Sequence, residues 1–268
     1  MIDSLSFFGS YPFRRIPTRD LKDLIFYLSQ KGFSRVYTIR FSSIFYRDPL
    51  EGNREALEEL RSLRDKFSTH TLVRLIGGFN PLYIPQKRDL VRRALERDFI
   101  AYLVAPAYHG FRLDSRDTLR FIEIAVEENF RVLILDLLED LREFHRGILF
   151  KYLVKRDTFK SFLEKIDKSF SKKIMLASFR YDLVREFSSR IADLEFFVDV
   201  SSDTFYGSQY DRVRELVESV GEDLVVLSSR TPLAYPEVSL YRVLYSDIDD
   251  SVKKKILYEN PLKFYGEK

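Results

Sequence analysis

Residues 132–138 read VLILDLL, and residues 224–227 read LVVL. Both are apolar runs too short for an ordinary helix. A strand with one wet face alternates apolar and polar residues; a near-continuous run is a parallel strand covered on both faces. Working outward from these two, Val132–Leu137 and Leu224–Ser228 have six companions: Ile2–Phe8, Arg35–Arg40, Thr71–Gly78, Ile100–Ala105, Lys173–Ser178 and Glu195–Val200. An amphipathic stretch follows each run. Thr18 precedes DLKDLIFYLSQKG, where Leu21, Leu24, Ile25 and Leu28 share one face and Gly32 is the stop. Asn53 is expected to cap REALEELRSLRDKF, with Leu57, Leu60 and Leu63 as its stripe. Asp211–Val220 carries Val213, Leu216, Val217 and Val220 before Gly221, and a last helix from near Asp249 carries Val252, Ile256 and Leu257. Eight strands alternating with helices predict an α/β chain folded as a single (β/α)8 TIM barrel, one domain over residues 1–268. An open doubly wound sheet is the alternative, but no G-x-G-x-x-G follows any strand.

Composition narrows the function. With 45% hydrophobic and 32% charged residues in 268, the chain can bury a full core, and disorder is excluded. Lys and Arg total 44 against 41 Asp and Glu, so the net charge of +3 gives no basic tract for nucleic acid or an anionic membrane. The absence of cysteine excludes disulfides, thiolate catalysis and cysteine-held zinc or iron–sulfur. His70, His109 and His145 are the three histidines. No apolar run reaches the ~18–20 residues of a membrane span. The opening MIDSLSFFGS has no charged lead and no long apolar stretch, so a cytoplasmic protein is expected. The Lys-, Arg- and Glu-rich composition resembles that of thermophile proteins. No G-x-S-x-G elbow and no P-loop is present.

Chemistry in such a barrel sits where strands end and βα-loops begin. Those points carry FFGSYPFRR, FSSIFYRDPLEGN, GGFNPLY, APAYHGFRLD, DLLEDLREFH, SFRYD, VDVSSD and SSRTPLAYPE. MID with the following G-x-Y-P-F-R, then GFNPLY, APAYHGFRLD, LEDLREFH, LSSRTPLAYPE and the closing DDSVKKKILYENPLKFYG resemble, in order, motifs of the amidohydrolase superfamily. The branch resembled is the amidohydrolase-related metal-dependent hydrolases, and the resemblance spans the whole chain. It implies a TIM barrel with a divalent metal in its mouth and hydrolase or decarboxylase chemistry.

The departures from that pattern decide what to expect of the site. The family's first two metal ligands, a His-x-His pair, fall on Leu5 and Phe7. Its strand-eight carboxylate, which binds metal and takes a proton from water, falls on Arg230, a cation with no acceptor. Strands five and six, which should each supply a histidine, offer Asp136–Asp140 and Ser178–Arg180. The expectation is therefore no cofactor and no family metal. A displaced ligand set would have to come from Asp3, Glu139, Asp140, His145 and Asp199. Asp3 reads more simply as part of a buried polar network, and Asp199 and Asp203 as helix caps. Glu139, Asp140 and Arg142 read as a helix start with an ion pair.

The candidate catalytic residues are His109, His145, Glu139 and Asp140, since an imidazole or carboxyl on a strand-end loop can move protons near neutral pH. A loop histidine bonded to backbone is the plainer reading of His109, and His70 opens strand three at the far end. The candidate ligand-binding residues are Tyr108, Arg230, Arg40, Arg14 and Asn80. With Arg112, Arg142 and Arg180, these arginines lie at strand ends, where convergence would suit a carboxylate or phosphate. Taken singly, most are expected to pair with acids at the surface. Arg230 is expected inside the mouth, with Asp3, Asp136 and Asp199 as the acids placed to reach it. Three functions remain: a metal-free relative that binds a small, anionic ligand or a partner, a working hydrolase or decarboxylase with displaced ligands, and a structural or regulatory subunit. Homo-oligomerisation is left open.

Overall fold

The structure, a computed structural model, describes residues 1–16, 18–64, 71–83, 87–136, 153–201 and 211–267. Each of the eight apolar runs is a strand: β1 Ile2–Phe8, β2 Arg35–Arg40, β3 Leu72–Gly78, β4 Ala101–Val104, β5 Arg131–Leu135, β6 Ile174–Ala177, β7 Phe197–Asp199 and β8 Val225–Val226. They form one parallel sheet in the order β1 to β8. The β8–β1 seam is closed by backbone bonds. Ser4 N donates to Leu227 O at 2.9 Å, Arg230 N to Leu5 O at 3.1 Å and Phe7 N to Thr231 O at 2.7 Å. That seam explains why β8 is shorter than the apolar run suggests. Past Val226 the chain turns its backbone to β1 and carries Ser228, Ser229 and Arg230 over the barrel mouth.

The helical layer follows the apolar stripes. In α1, Leu21–Gln30, the residues Leu21, Leu24, Ile25 and Leu28 are all buried, as expected. Its cap is Asp20, whose extended backbone turns the carboxylate onto the Asp23 N–H at 2.8 Å. The chain then runs through α2 Ser42–Phe45, α3 Pro49–Arg64, α4 Arg88–Ala94, α5 Pro106–His109 and α6 Arg116–Glu127. After β5 come α7 Arg156–Lys165, α8 Tyr181–Glu186, α9 Ser188–Asp193, α10 Arg212–Val220, α11 Pro236–Leu244 and α12 Asp250–Lys254. One π-helical stretch, Lys255–Glu259, leads into α13 Asn260–Tyr265. Among the described residues no helix is long and apolar enough to cross a membrane.

Asn53 corrects an expected cap. Helix α3 starts at Pro49, so Asn53 lies inside it, and its amide faces β3. Nδ2 donates to Gly78 O at 3.0 Å while Oδ1 accepts from Gly78 N at 2.8 Å. This pair pins α3 to the end of β3 and lets α2 approach closely. A Cβ on Gly78 would stand 2.2 Å from the Ser43 carbonyl oxygen, and one on Gly52 would stand 2.3 Å from Ser43 N.

The opposite end of the barrel is sealed by the C-terminus. Tyr265 stacks on Tyr37 with centroids 3.6 Å apart, and its hydroxyl donates to Ser4 O at 2.6 Å. Glu267 then accepts from Arg35, Tyr37 and Arg74. Arg35, Tyr37 and Arg74 belong to the first half of their strands, so the strand C-terminal ends remain the place to look for chemistry.

Candidate functional site

The barrel mouth has two unlike halves. From β5 round to β1 it is polar. Asp136, directly after β5, is fully buried and accepts from Arg180 Nε at 2.9 Å. Arg180 also donates to the Val154 carbonyl. Burial pushes the Asp136 carboxyl up, opposed by the Arg180 charge. Asp199, at the end of β7, accepts from Ser178 N at 2.9 Å and Ser201 Oγ at 3.0 Å. Burial also raises Asp199, against these donors. Below the mouth, near the start of β1, Asp3 accepts from Ser229 N at 2.8 Å and Ser229 Oγ at 2.6 Å, stitching the seam from the side chain. Its carboxyl is pushed up to about 7 by burial, with the Ser229 and Leu5 bonds pulling the other way.

Arg230 stands in this half, only 2% exposed, and its Nη1 donates to Ser201 O at 3.1 Å. It is inside the mouth, as the strand-eight position requires. The three acids expected to reach it are engaged elsewhere: Asp3 by Ser229, Asp136 by Arg180, and Asp199 by Ser178 and Ser201. Arg230 and Ser178 also share a backbone feature. Their φ values are +56° and +51°, in the left-handed region that residues other than glycine rarely adopt. Such strain, about 1 kcal/mol or more each, persists where the surroundings force it and collects at functional sites. Ser178 directly follows β6 and Arg230 lies four residues past β8, whereas the other three non-glycine residues with positive φ, Asn129, Lys172 and Glu195, precede strands at the opposite end. Nearby, Ser178 Oγ and Asp136 Oδ1 are buried without a hydrogen-bond partner, and Ser228 Oγ approaches Asp199 without a bond of good geometry.

From β1 to β4 the mouth is aromatic. Phe7 stacks on Phe41 at 5.3 Å, Tyr11 packs on Phe41 and Phe45, and Phe45 meets the Tyr108 ring edge-on at 5.6 Å. His109 closes α5, whose end is set by Gly110 in the left-handed region. Both ring nitrogens are buried without a hydrogen-bond partner, with the backbone of Ile44 and Phe79 beside the ring. Burial lowers its pKa to about 4, so the imidazole is neutral near pH 7.

The other candidates divide sharply. Arg40 points outward, over the Phe8 ring, and is held by Glu55 at 2.9 Å and by Glu59, so its charge is spent in the helix layer. Arg14 is exposed and donates to Leu233 O at 3.0 Å. Asn80 is buried and turns its Oδ1 onto Leu82 N at 3.0 Å, shaping the β3 loop. Arg112 pairs with Asp114 at the surface. His70, Glu139, Asp140, Arg142, His145 and Asp203 lie outside the described residues. Ser201 and Ser229 were not singled out from the sequence, although the doublet Ser-Ser after two strand runs was their signal. Among the described residues no group of three His, Cys, Asp or Glu side chains is placed to hold a metal ion. A cleft of about 680 Å³ lies between α6 and the end of α7, in the helix layer and not over the strand ends.

No protein-family model and no curated sequence matches the chain. Solved structures do. The 2,6-dihydroxybenzoate decarboxylase from Rhizobium superposes with a TM-score of 0.70 at 10% identity, covering 99% of both chains. The chain shares the (β/α)8 barrel fold of these structures. A dihydroxybenzoic acid decarboxylase from a Polaromonas species, solved with manganese and the inhibitor 2-nitroresorcinol, gives 0.68 at 13% identity over 99% of this chain and 97% of its own. Amidohydrolase 2 from Bifidobacterium longum subsp. infantis gives 0.59 at 12% identity over 100% and 98%. The sequence resemblance and the barrel therefore agree. At the positions that the sequence resemblance assigns to metal ligands stand Leu5 and Phe7, both fully buried, and Arg230, 2% exposed.

Proposed function

We propose that this amidohydrolase-type barrel works without the family's divalent metal and takes a small anionic ligand in the polar half of its mouth. The observation that carries the reading is Arg230, a buried guanidinium on a strained backbone at the strand-eight position. The donor set does not fit a divalent cation. Leu5 and Phe7 offer no lone pair, Arg230 repels a cation, and Asp136 is already held by Arg180. The same groups suit an anion. Arg230 supplies a guanidinium with its planar fork of donors, and the Ser178 and Ser228 hydroxyls supply donors whose burial is otherwise costly. The aromatic half offers a dry wall for the ligand's apolar part, with the neutral His109 behind it.

Melting of the purified protein with small carboxylates and with inorganic phosphate tests this. A stabilising ligand is expected to raise the midpoint in proportion to its concentration over Kd. Arg230→Gln is expected to remove that rise, weakening binding about tenfold or more, as loss of a charged hydrogen bond does. An anion response that survives Arg230→Gln would contradict the assignment. A second reading, a decarboxylase or hydrolase with ligands moved onto Glu139, Asp140 and His145, is favoured by the decarboxylases among the structural neighbours. It requires bound metal, which the anion reading does not.

A further inference from the structure

The outer face of α11 is unusual for this chain. Four of the twelve exposed large apolar side chains among the described residues fall within residues 235–245: Tyr235, Tyr241, Leu244 and Tyr245. Tyr245 is 82% exposed and Tyr235 72%. The group is contiguous with α1. The Tyr241 and Tyr245 rings lie 5.6 Å apart, and Tyr235 and Glu237 act electrostatically on Tyr27. Lys31 sits 5.6 Å above the Tyr27 ring and 2.5 Å from Glu237. Exposed apolar groups scattered singly need no explanation, but a contiguous tyrosine face does.

We infer that this tyrosine face is a self-association surface on which a second copy of the chain docks about a two-fold axis. A two-fold contact sets one patch against itself, so the patch must be compatible with its own charge. This one is. Among the described residues, the cation and the anion that act on these rings, Lys31 and Glu237, are paired within the chain, so neither is left to repel the copy. Each phenol both donates and accepts, so tyrosines facing tyrosines satisfy one another. A nucleic acid, an anionic lipid surface or an acidic peptide would find no complementary charge here. Tyrosine is also the residue type enriched at interface centres, and the exposed parts of Tyr235, Tyr241 and Tyr245, half to four-fifths of rings of roughly 150–250 Å² each, with Leu244, supply about half of the ~800 Å² per partner of a standard interface.

Sedimentation of the full-length chain from micromolar to hundreds of micromolar concentration decides the matter. The wild type is expected to dimerise. Tyr241→Glu with Tyr245→Glu is expected to raise the dimer Kd about thirtyfold or more, with the far-ultraviolet dichroism of the fold unchanged. Tyr241→Phe with Tyr245→Phe should retain the dimer. Should the double glutamate variant not fold, Tyr245→Arg at the most exposed position gives the same reading. A wild type that stays monomeric throughout, or a dimer indifferent to Tyr245→Arg, overturns the inference.

Discussion

Arg180→Met is expected to destabilise the protein by about 3–5 kcal/mol, measured by urea denaturation at pH 7. The partner left behind is the reason. Asp136 is fully buried at the end of β5, and Arg180 is the cation bonded to its Oδ2. Removing the guanidinium leaves a carboxyl among apolar strands, and frees the Val154 carbonyl that Arg180 also holds. The loss is not a measure of what the pair contributes. Asp136→Leu combined with Arg180→Met removes both charges and should recover most of the stability. A loss below about 1 kcal/mol for the single variant would place Arg180 among ordinary surface ion pairs and sink this reading.

The second large effect concerns pH, and two buried groups oppose each other. The Asp3 carboxyl is raised from 3.8 to about 7, so the folded chain keeps a proton that the unfolded chain releases. Its contribution is fully present below about pH 4 and is lost as pH rises to about 7, roughly 4 kcal/mol in all. His109 runs the other way. Its pKa is lowered from 6.5 to about 4, so the unfolded chain binds the extra proton between those values. That contribution is full above 6.5 and is lost as pH falls to about 4, roughly 3 kcal/mol. The two slopes oppose each other, and Asp136 and Asp199, also raised by burial, act in the same sense as Asp3. Relative to the parent, Asp3→Asn should lose less stability as pH rises from 4 to 7, and His109→Gln should lose more as pH rises from 4 to 6.5. Parallel pH profiles for both variants would mean that neither group titrates in a buried setting.

Much of the barrel was legible because strand burial leaves a local mark. VLILDLL and LVVL need no partner to be recognised as covered strands, and the stripe of Leu21, Leu24, Ile25 and Leu28 needs only its own spacing. Caps were less legible, since Thr18, Asp20 and Asn53 are all plausible cap types and the choice depends on tertiary contacts. Asn53 is drawn inward by Gly78, 25 residues away. The candidate site was legible where the end of a strand run fixed the position, as at Arg230. It was not legible where a long side chain chooses among distant acids. Arg40 and Arg180 look alike in sequence, yet one turns out to Glu55 and Glu59 and the other turns in to Asp136 across 44 residues. Nor does APAYHGFRLD reveal that α2, admitted by the glycines at 52 and 78, comes close enough to cover the His109 ring.

The most direct test of metal-independent function is the metal content of the native protein, purified without chelator and measured by elemental mass spectrometry, with melting recorded before and after chelation. On the proposal that Leu5, Phe7 and Arg230 replace the family's ligands, zinc, manganese and iron are expected well below one per chain, and the melting midpoint is expected not to move on chelation. One transition metal per chain, removed by the chelator together with a fall in the midpoint, would contradict the proposal and favour ligands on Glu139, Asp140 and His145.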